Sequence, residues 1–158
     1  AKGNASRVAE ANIHNDPEAA KIVFNAPWSV TMVGLDVTRK TIMTPAYVEA
    51  LGTANPFTHF IARILPHYMS FYLENTGLEG LYVHDSSALA YVIDPSLFET
   101  KLVHVEVETN SPVNKGLTAV DWRRHPNGEP NVHVWVDVDH ERFLQLYKER
   151  LTAGEIPQ

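Results

Sequence analysis

Apolar positions follow two rhythms along the chain. From Asn55 to Tyr72, the residues Phe57, Phe60, Ile61, Ile64, Leu65, Tyr68, Met69 and Tyr72 recur at intervals of three and four. That period predicts a long amphipathic helix opened by Asn55-Pro56, with a kink at Pro66. Shorter helices are predicted wherever a capping side chain precedes a proline. Asp16-Pro17 opens one that stops by Ala26-Pro27, and Thr44-Pro45 opens another that ends near Gly52. Asp85 to Val92 reads as a short helix stopped at Asp94-Pro95. Asp139 caps a C-terminal helix bearing Phe143, Leu144, Tyr147 and Leu151, and the tail after Thr152 is expected to fray.

The second rhythm has a period of two. It runs through Leu102 to Glu108, Gly116 to Val120 and Val132 to Val136, with Pro126-Asn127-Gly128 turning the chain between the last two. Val30 to Val33 is a short apolar run bounded by Pro27 and Gly34, and Leu81 to Val83 is a brief extended piece. Helix and strand alternate early, and a hairpin-like β section follows. This predicts one α/β domain over residues 1–158, with an open, mixed, partly parallel sheet and flanking helices. The chain opens with Gly3-Asn4 and a helix, not with a strand able to found a sheet. The opening therefore reads as the middle of a fold.

Composition narrows the function classes. A net charge of −6 offers no basic face for nucleic acid and no polybasic contact for a membrane. No apolar run reaches the roughly 18 residues needed to span a bilayer. No basic-then-apolar leader is visible, and none is expected. Cysteine is absent, which excludes a disulfide framework and a thiolate metal site. That absence fits a reducing compartment, and the expectation is the cytoplasm.

Three clusters carry candidate chemistry. Gly3-Asn4 with Ala9-Glu10-Ala11-Asn12-Ile13 places two carboxamides and a carboxylate in a short stretch. Such groups can bracket neighbouring hydroxyls, and they are also ordinary turn residues. Met32-Val33-Gly34-Leu35-Asp36-Val37-Thr38 reads either as a strand, turn and cap or as a strand-end site. His84-Asp85 falls at a strand-to-helix junction. Asp85 reads there as a helix N-cap or as a ligand for a hard cation, with His84 as a proton donor to a leaving group. His14 is a minor candidate. His104 and His133 read as satisfied sheet residues, His59 and His67 lie on the long helix, and His125 and His140 lie in turns. Trp28, Trp122 and Trp135 read as core or interface. No phosphate-binding glycine loop, HExxH or GxSxG string is present.

Taken in order, these strings closely resemble the inosine-uridine preferring nucleoside hydrolase family. Glu10-Ala11-Asn12-Ile13 running into Asp16-Pro17-Glu18-Ala19-Ala20 and Met32 to Thr38 are the most specific, followed by Val83-His84-Asp85. Pro95 to Phe98, Val105-Glu106-Val107 and Lys115 to Thr118 fit as well, so the resemblance runs from Gly3 to about Leu151. It implies hydrolysis of the N-glycosidic bond of ribonucleosides, with a small-molecule nucleoside as substrate and calcium as cofactor. Asn4, Glu10 and Asn12 match positions that bind ribose hydroxyls. Asp85 matches a calcium ligand that also faces the sugar, and His84 matches the histidine beside the leaving base.

Three departures from the family pattern are visible. Ser86 stands where proline is usual after His-Asp, and Ala11 stands where phenylalanine is usual. The family's Asp-x-Asp-Pro-Gly-x-Asp-Asp string is absent, and with it the water-activating aspartate and most of the calcium carboxylates. The expectation is a C-terminal half that is inactive alone and associates with an N-terminal half or with copies of itself. The competing expectation is a non-catalytic ribose- or nucleoside-binding relic or assembly subunit.

Overall fold

The computed structural model describes residues 2–153. The tail expected to fray lies, from residue 154 onward, outside them. The chain folds as two compact units, residues 1–37 with 99–137 and residues 38–98 with 138–158.

The first unit is built on a four-stranded sheet in the order β1-β6-β4-β5. Its strands are β1 (Thr31–Met32), β4 (Phe98–Val107), β5 (Thr118–Asp121) and β6 (Val132–Val138). β1 runs parallel to β6, with Thr31 opposite His133, whereas β4 and β5 are antiparallel, with Val105 opposite Val120. The mixed sheet matches the sequence expectation. Two helices flank it, α1 (Ala11–Asn15) and α2 (Pro17–Phe24). The α2 start is as read: Asp16 accepts the Ala19 N–H at 2.8 Å and Pro17 follows. Val105, Val107, Val132 and Val134 pack with Phe24 to form the core, and Ile13, Ala20, Val30 and Met32 close around them.

Asn131 cross-links this core. Its side chain donates to the carbonyls of Phe24 and Val105 at 3.2 and 3.0 Å and accepts the Val105 N–H at 2.8 Å. Gly116, read as the start of a strand, instead lies in a turn with φ +84°, and β5 begins at Thr118. A positive φ is open to glycine and costly for residues with a Cβ, so the pairing starts only beyond it. α1 escapes the periodicity reading because five residues are too few to display one.

The second unit holds the two-stranded antiparallel pair β2 (Ile42–Met43) and β3 (Leu81–Tyr82). Around it are α4 (Pro45–Gly52), α5 (Pro56–Thr76), α6 (Asp85–Ile93) and α7 (His140–Thr152). α3 (Leu35–Thr38) is a single turn where the chain passes from one unit into the other. The predicted caps are in place on α4, α5 and α7: Thr44 accepts the Tyr47 N–H, Asn55 that of Thr58, and Asp139 that of Arg142. Thr58 returns a bond to the Asn55 N–H, completing a capping box.

α5 continues through Pro66 and ends at Gly77, whose φ of +74° is the left-handed cap glycine favours. Gly52 allows α4 and α5 to approach, since a Cβ there would lie 2.6 Å from the Ala62 Cβ. α7 is tied in by the Tyr47 hydroxyl on the Leu144 carbonyl at 2.7 Å and by fully buried Phe143. No helix of the described residues is long and apolar enough to cross a membrane.

Candidate active-site residues

In the first unit, residues 3 to 13 wrap around Ala9, which is fully buried. The Ala9 carbonyl accepts the N–H groups of Asn4, Ala5 and Ser6 at 3.2 to 3.4 Å. A Cβ at Gly3 would lie 2.3 Å from the carbonyl oxygens of Ala9 and Ser6, so only glycine fits. The wrap delivers the three polar residues singled out in the sequence. Asn4 Oδ1 accepts the Ala11 N–H at 2.9 Å. Glu10 caps α1, with Oε2 accepting the N–H groups of Asn12 and Ile13 at 2.9 and 3.3 Å. Its other oxygen lies 3.4 Å from Asn12 Nδ2, which donates to it.

Glu10 and Asn12 line a cavity of about 660 Å³ together with Gly3, Asp36, Thr118 and Trp122. That volume is in the range of small-molecule sites. Asn4 braces the turn through the Ala11 N–H and is not in the lining. Asp36, Thr118 and Trp122 are cavity residues that the sequence reading did not assign as ligands. Asp36 stood within a string read as a strand end and cap, and no spacing rule joins residues 36, 118 and 122. His14 is exposed at the end of α1.

In the second unit, His84 and Asp85 sit where β3 gives way to α6. The junction is held by hydroxyls. Buried Thr41 places its Oγ1 2.7 Å from the Thr38 carbonyl and 2.9 Å from the Val83 carbonyl, and its own carbonyl accepts the Val83 N–H. Buried Ser87 donates to the Val83 carbonyl as well. The His84 ring is bracketed on both nitrogens, by Thr38 Oγ1 2.8 Å from Nδ1 and by the Tyr72 hydroxyl 3.1 Å from Nε2.

Tyr68 continues the line, its hydroxyl 3.2 Å from that of Tyr72. Burial first, and then the Tyr68 hydroxyl, push the Tyr72 phenol well above its ordinary value, so it keeps its proton through the neutral range. A protonated phenol can donate to a neutral imidazole or accept from a protonated one. The arrangement is therefore a short chain of proton-carrying groups ending on His84. Sequence reasoning placed Tyr68 and Tyr72 on the apolar stripe of α5, where periodicity conceals their hydroxyls.

Asp85 departs from its reading as an N-cap. His84 occupies the cap position, with no side-chain cap bond, and Asp85 is the first residue of α6. Its side chain is exposed. Among the described residues, no group of three or more His, Asp or Glu side chains gathers to hold a metal ion. Calcium takes six to eight oxygens. The described residues therefore do not fit a calcium site by themselves, and Asp85 is at most one contributor to it.

The chain as a whole is similar to known proteins. The family model for inosine-uridine preferring nucleoside hydrolases matches residues 1–145. The chain belongs to that family. It is 40% identical over 159 residues to the inosine-uridine preferring nucleoside hydrolase of Crithidia fasciculata, covering 99% of this chain and 50% of that protein. It is 39% identical to the pyrimidine-specific ribonucleoside hydrolase RihA of Salmonella enteritidis, covering 96% of this chain and 49% of the other. Among solved structures, the purine-preferring ribonucleoside hydrolase of Gardnerella vaginalis superposes with a TM-score of 0.86 at 33% identity, covering 96% of this chain and 48% of that one. The chain thus spans about half the length of the relatives it matches.

Proposed function

We propose that the protein carrying this chain hydrolyses the N-glycosidic bond of ribonucleosides to ribose and free base. The supporting observation is the turn at Glu10 and Asn12, a carboxylate and a carboxamide bonded to each other and lining a small-molecule cavity, within a chain of this family. Glu10 and Asn12 take ribose hydroxyls, and Asn4 holds the turn in shape. Fixing the sugar pre-orders the reactants before any bond breaks. As the C1′–N bond breaks, positive charge grows on the ribosyl carbon, and a nearby carboxylate stabilises it. Water forms the new O–C1′ bond and loses one proton to solvent, which balances the proton the departing base takes up. The departing base gains a proton, which His84 delivers from the line formed with Tyr72 and Tyr68.

Asp85 is proposed as one ligand of a calcium ion whose other ligands lie outside the described residues. The 158 residues are proposed to be one portion of a nucleoside hydrolase domain, inactive alone, acting in the cytoplasm with the remaining portion or with further copies. A second reading, a non-catalytic nucleoside-binding subunit, draws support from the lack of an acidic cluster among the described residues.

Leaving-group chemistry separates the two. In the protein carrying this chain, His84→Ala should slow inosine hydrolysis by about 100-fold or more. p-Nitrophenyl riboside should slow far less, because its phenolate leaves without a proton. Equal effects on both substrates would remove His84 from the acid role, and binding without base release would favour the second reading.

A further inference from the structure

We propose that the connector between β4 and β5 sets the conformation of the ligand turn, which makes Gly116 a positioning residue for Glu10 and Asn12. The functional consequence rests on the ribose-binding role proposed above.

The turn does not hold itself. α1 has five residues and none is buried, too short a helix to be stable alone. The connector, by contrast, is stapled internally. Glu108 Oε1 accepts the N–H groups of Asn110 and Ser111 at 2.7 and 2.9 Å. Ser111 Oγ accepts those of Val113 and Asn114 at 3.3 and 3.1 Å. The loop closes where the Gly116 N–H reaches the Glu108 carbonyl at 2.8 Å and the Glu108 N–H reaches that of Leu117 at 2.9 Å.

This closed loop touches the turn at both ends. A Cβ built on Gly116 would lie 3.0 Å from the Ala9 Cβ and 3.2 Å from the His14 Cα. Ala9 precedes Glu10, and the His14 N–H closes the first turn of α1 on the Glu10 carbonyl at 2.8 Å. One residue earlier, Lys115 donates to Glu18 at 2.8 Å, pinning the connector to α2. Two residues later, Thr118 lines the same cavity as Glu10 and Asn12. Gly116 combines a positive φ with contact on both flanks of the turn, so a side chain there would strain the connector and push the turn.

The test is amide hydrogen exchange on the Asn12 and Ile13 N–H groups held by Glu10, with Val105 and Val134 as core references. Gly116→Ala should speed exchange at Asn12 and Ile13 by about tenfold, from the left-handed backbone alone, and leave the references unchanged. Ser111→Ala removes the two bonds its hydroxyl accepts within the connector. It should speed the same two amides about threefold, and it keeps the test decisive if Gly116→Ala fails to fold.

Unchanged amides in both the 116 and 111 variants would overturn the proposal, as would an equal rise at Val105 and Val134. In the protein carrying this chain, Gly116→Ala should lower kcat/KM for nucleoside about tenfold. Faster exchange with kcat/KM unmoved would refute the positioning role and leave the hydrolase reading standing. If the wild-type protein releases no base, the hydrolase reading falls, and the exchange result alone decides the coupling.

Discussion

Replacing Tyr72 by Phe removes one oxygen and little else. That oxygen lies 3.1 Å from Nε2 of His84 and 3.2 Å from the Tyr68 hydroxyl. The ring keeps its edge contacts, with centroids 5.0 Å from Tyr68 and 5.2 Å from Tyr82. The residue is 7% exposed, so water does not readily replace the lost group. Each hydrogen bond contributes about 0.5–1.5 kcal/mol net, so two give a loss of about 1–3 kcal/mol. The assay follows from residue placement. All six tyrosines fall in the second unit and all three tryptophans in the first. Tyrosine near-ultraviolet dichroism during urea unfolding therefore reports the second unit.

A pH series sharpens this prediction. Tyr72 has a raised value when folded, so its contribution is fully present below the ordinary tyrosine value of 10.0 and is lost as pH rises toward the folded value. Wild-type stability should fall more steeply above that pH than stability of the Phe variant. A stability change below about 0.3 kcal/mol, well under one hydrogen bond, would refute the reasoning.

Asn131→Ala removes three hydrogen bonds that join α2, β4 and β6, and should cost about 2–4 kcal/mol, read by tryptophan fluorescence of the first unit during urea unfolding. His104 donates Nδ1–H to the Glu129 carbonyl and faces Glu106 through Nε2, with Asp121 of β5 nearby. The carbonyl first and then the Glu106 carboxylate raise its value above the ordinary 6.5. Its contribution is present below that ordinary value and is lost as pH rises through the raised one, so urea midpoints should drop on the alkaline side and His104→Gln should flatten the drop. Asp121 runs the other way, held well below the usual carboxylate range chiefly by Arg123. Its contribution is present above 3.8 and fades as pH falls below that, which an acid titration of Asp121→Asn against wild type should show.

Long elements with their own start signals were legible in the sequence. Asp16, Thr44, Asn55 and Asp139 each announce a helix, and each accepts the N–H three residues on. The alternation of Val132, Val134 and Val136 marks β6 because one face of that strand is core. Two-residue strands such as β2 carry no period, and their existence depends on a partner 40 residues away. β4 begins at Phe98, four residues before its reading, because Phe98-Glu99-Thr100-Lys101 shows little alternation while its backbone still continues the strand.

The order of short strings singled out Glu10, Asn12 and His84 as candidates. What surrounds them was hidden. Thr38 and Tyr72 reach His84 from 46 and 12 residues away, and each looks like a cap or core residue in its own segment. Gly116 gives a related lesson. Glycine at a strand start reads as a flaw, and its φ and its neighbours appear only once the chain is folded.

Product release tests the central claim most directly. The protein carrying this chain, incubated with inosine or uridine and calcium, should yield equal amounts of ribose and free base by chromatography. Glu10→Ala, with its fold verified by tryptophan fluorescence, should cut kcat/KM by about 100-fold, as expected for loss of a carboxylate serving the ribosyl cation. Absence of base from the wild-type protein, or undiminished release by the Glu10 variant, would contradict the account.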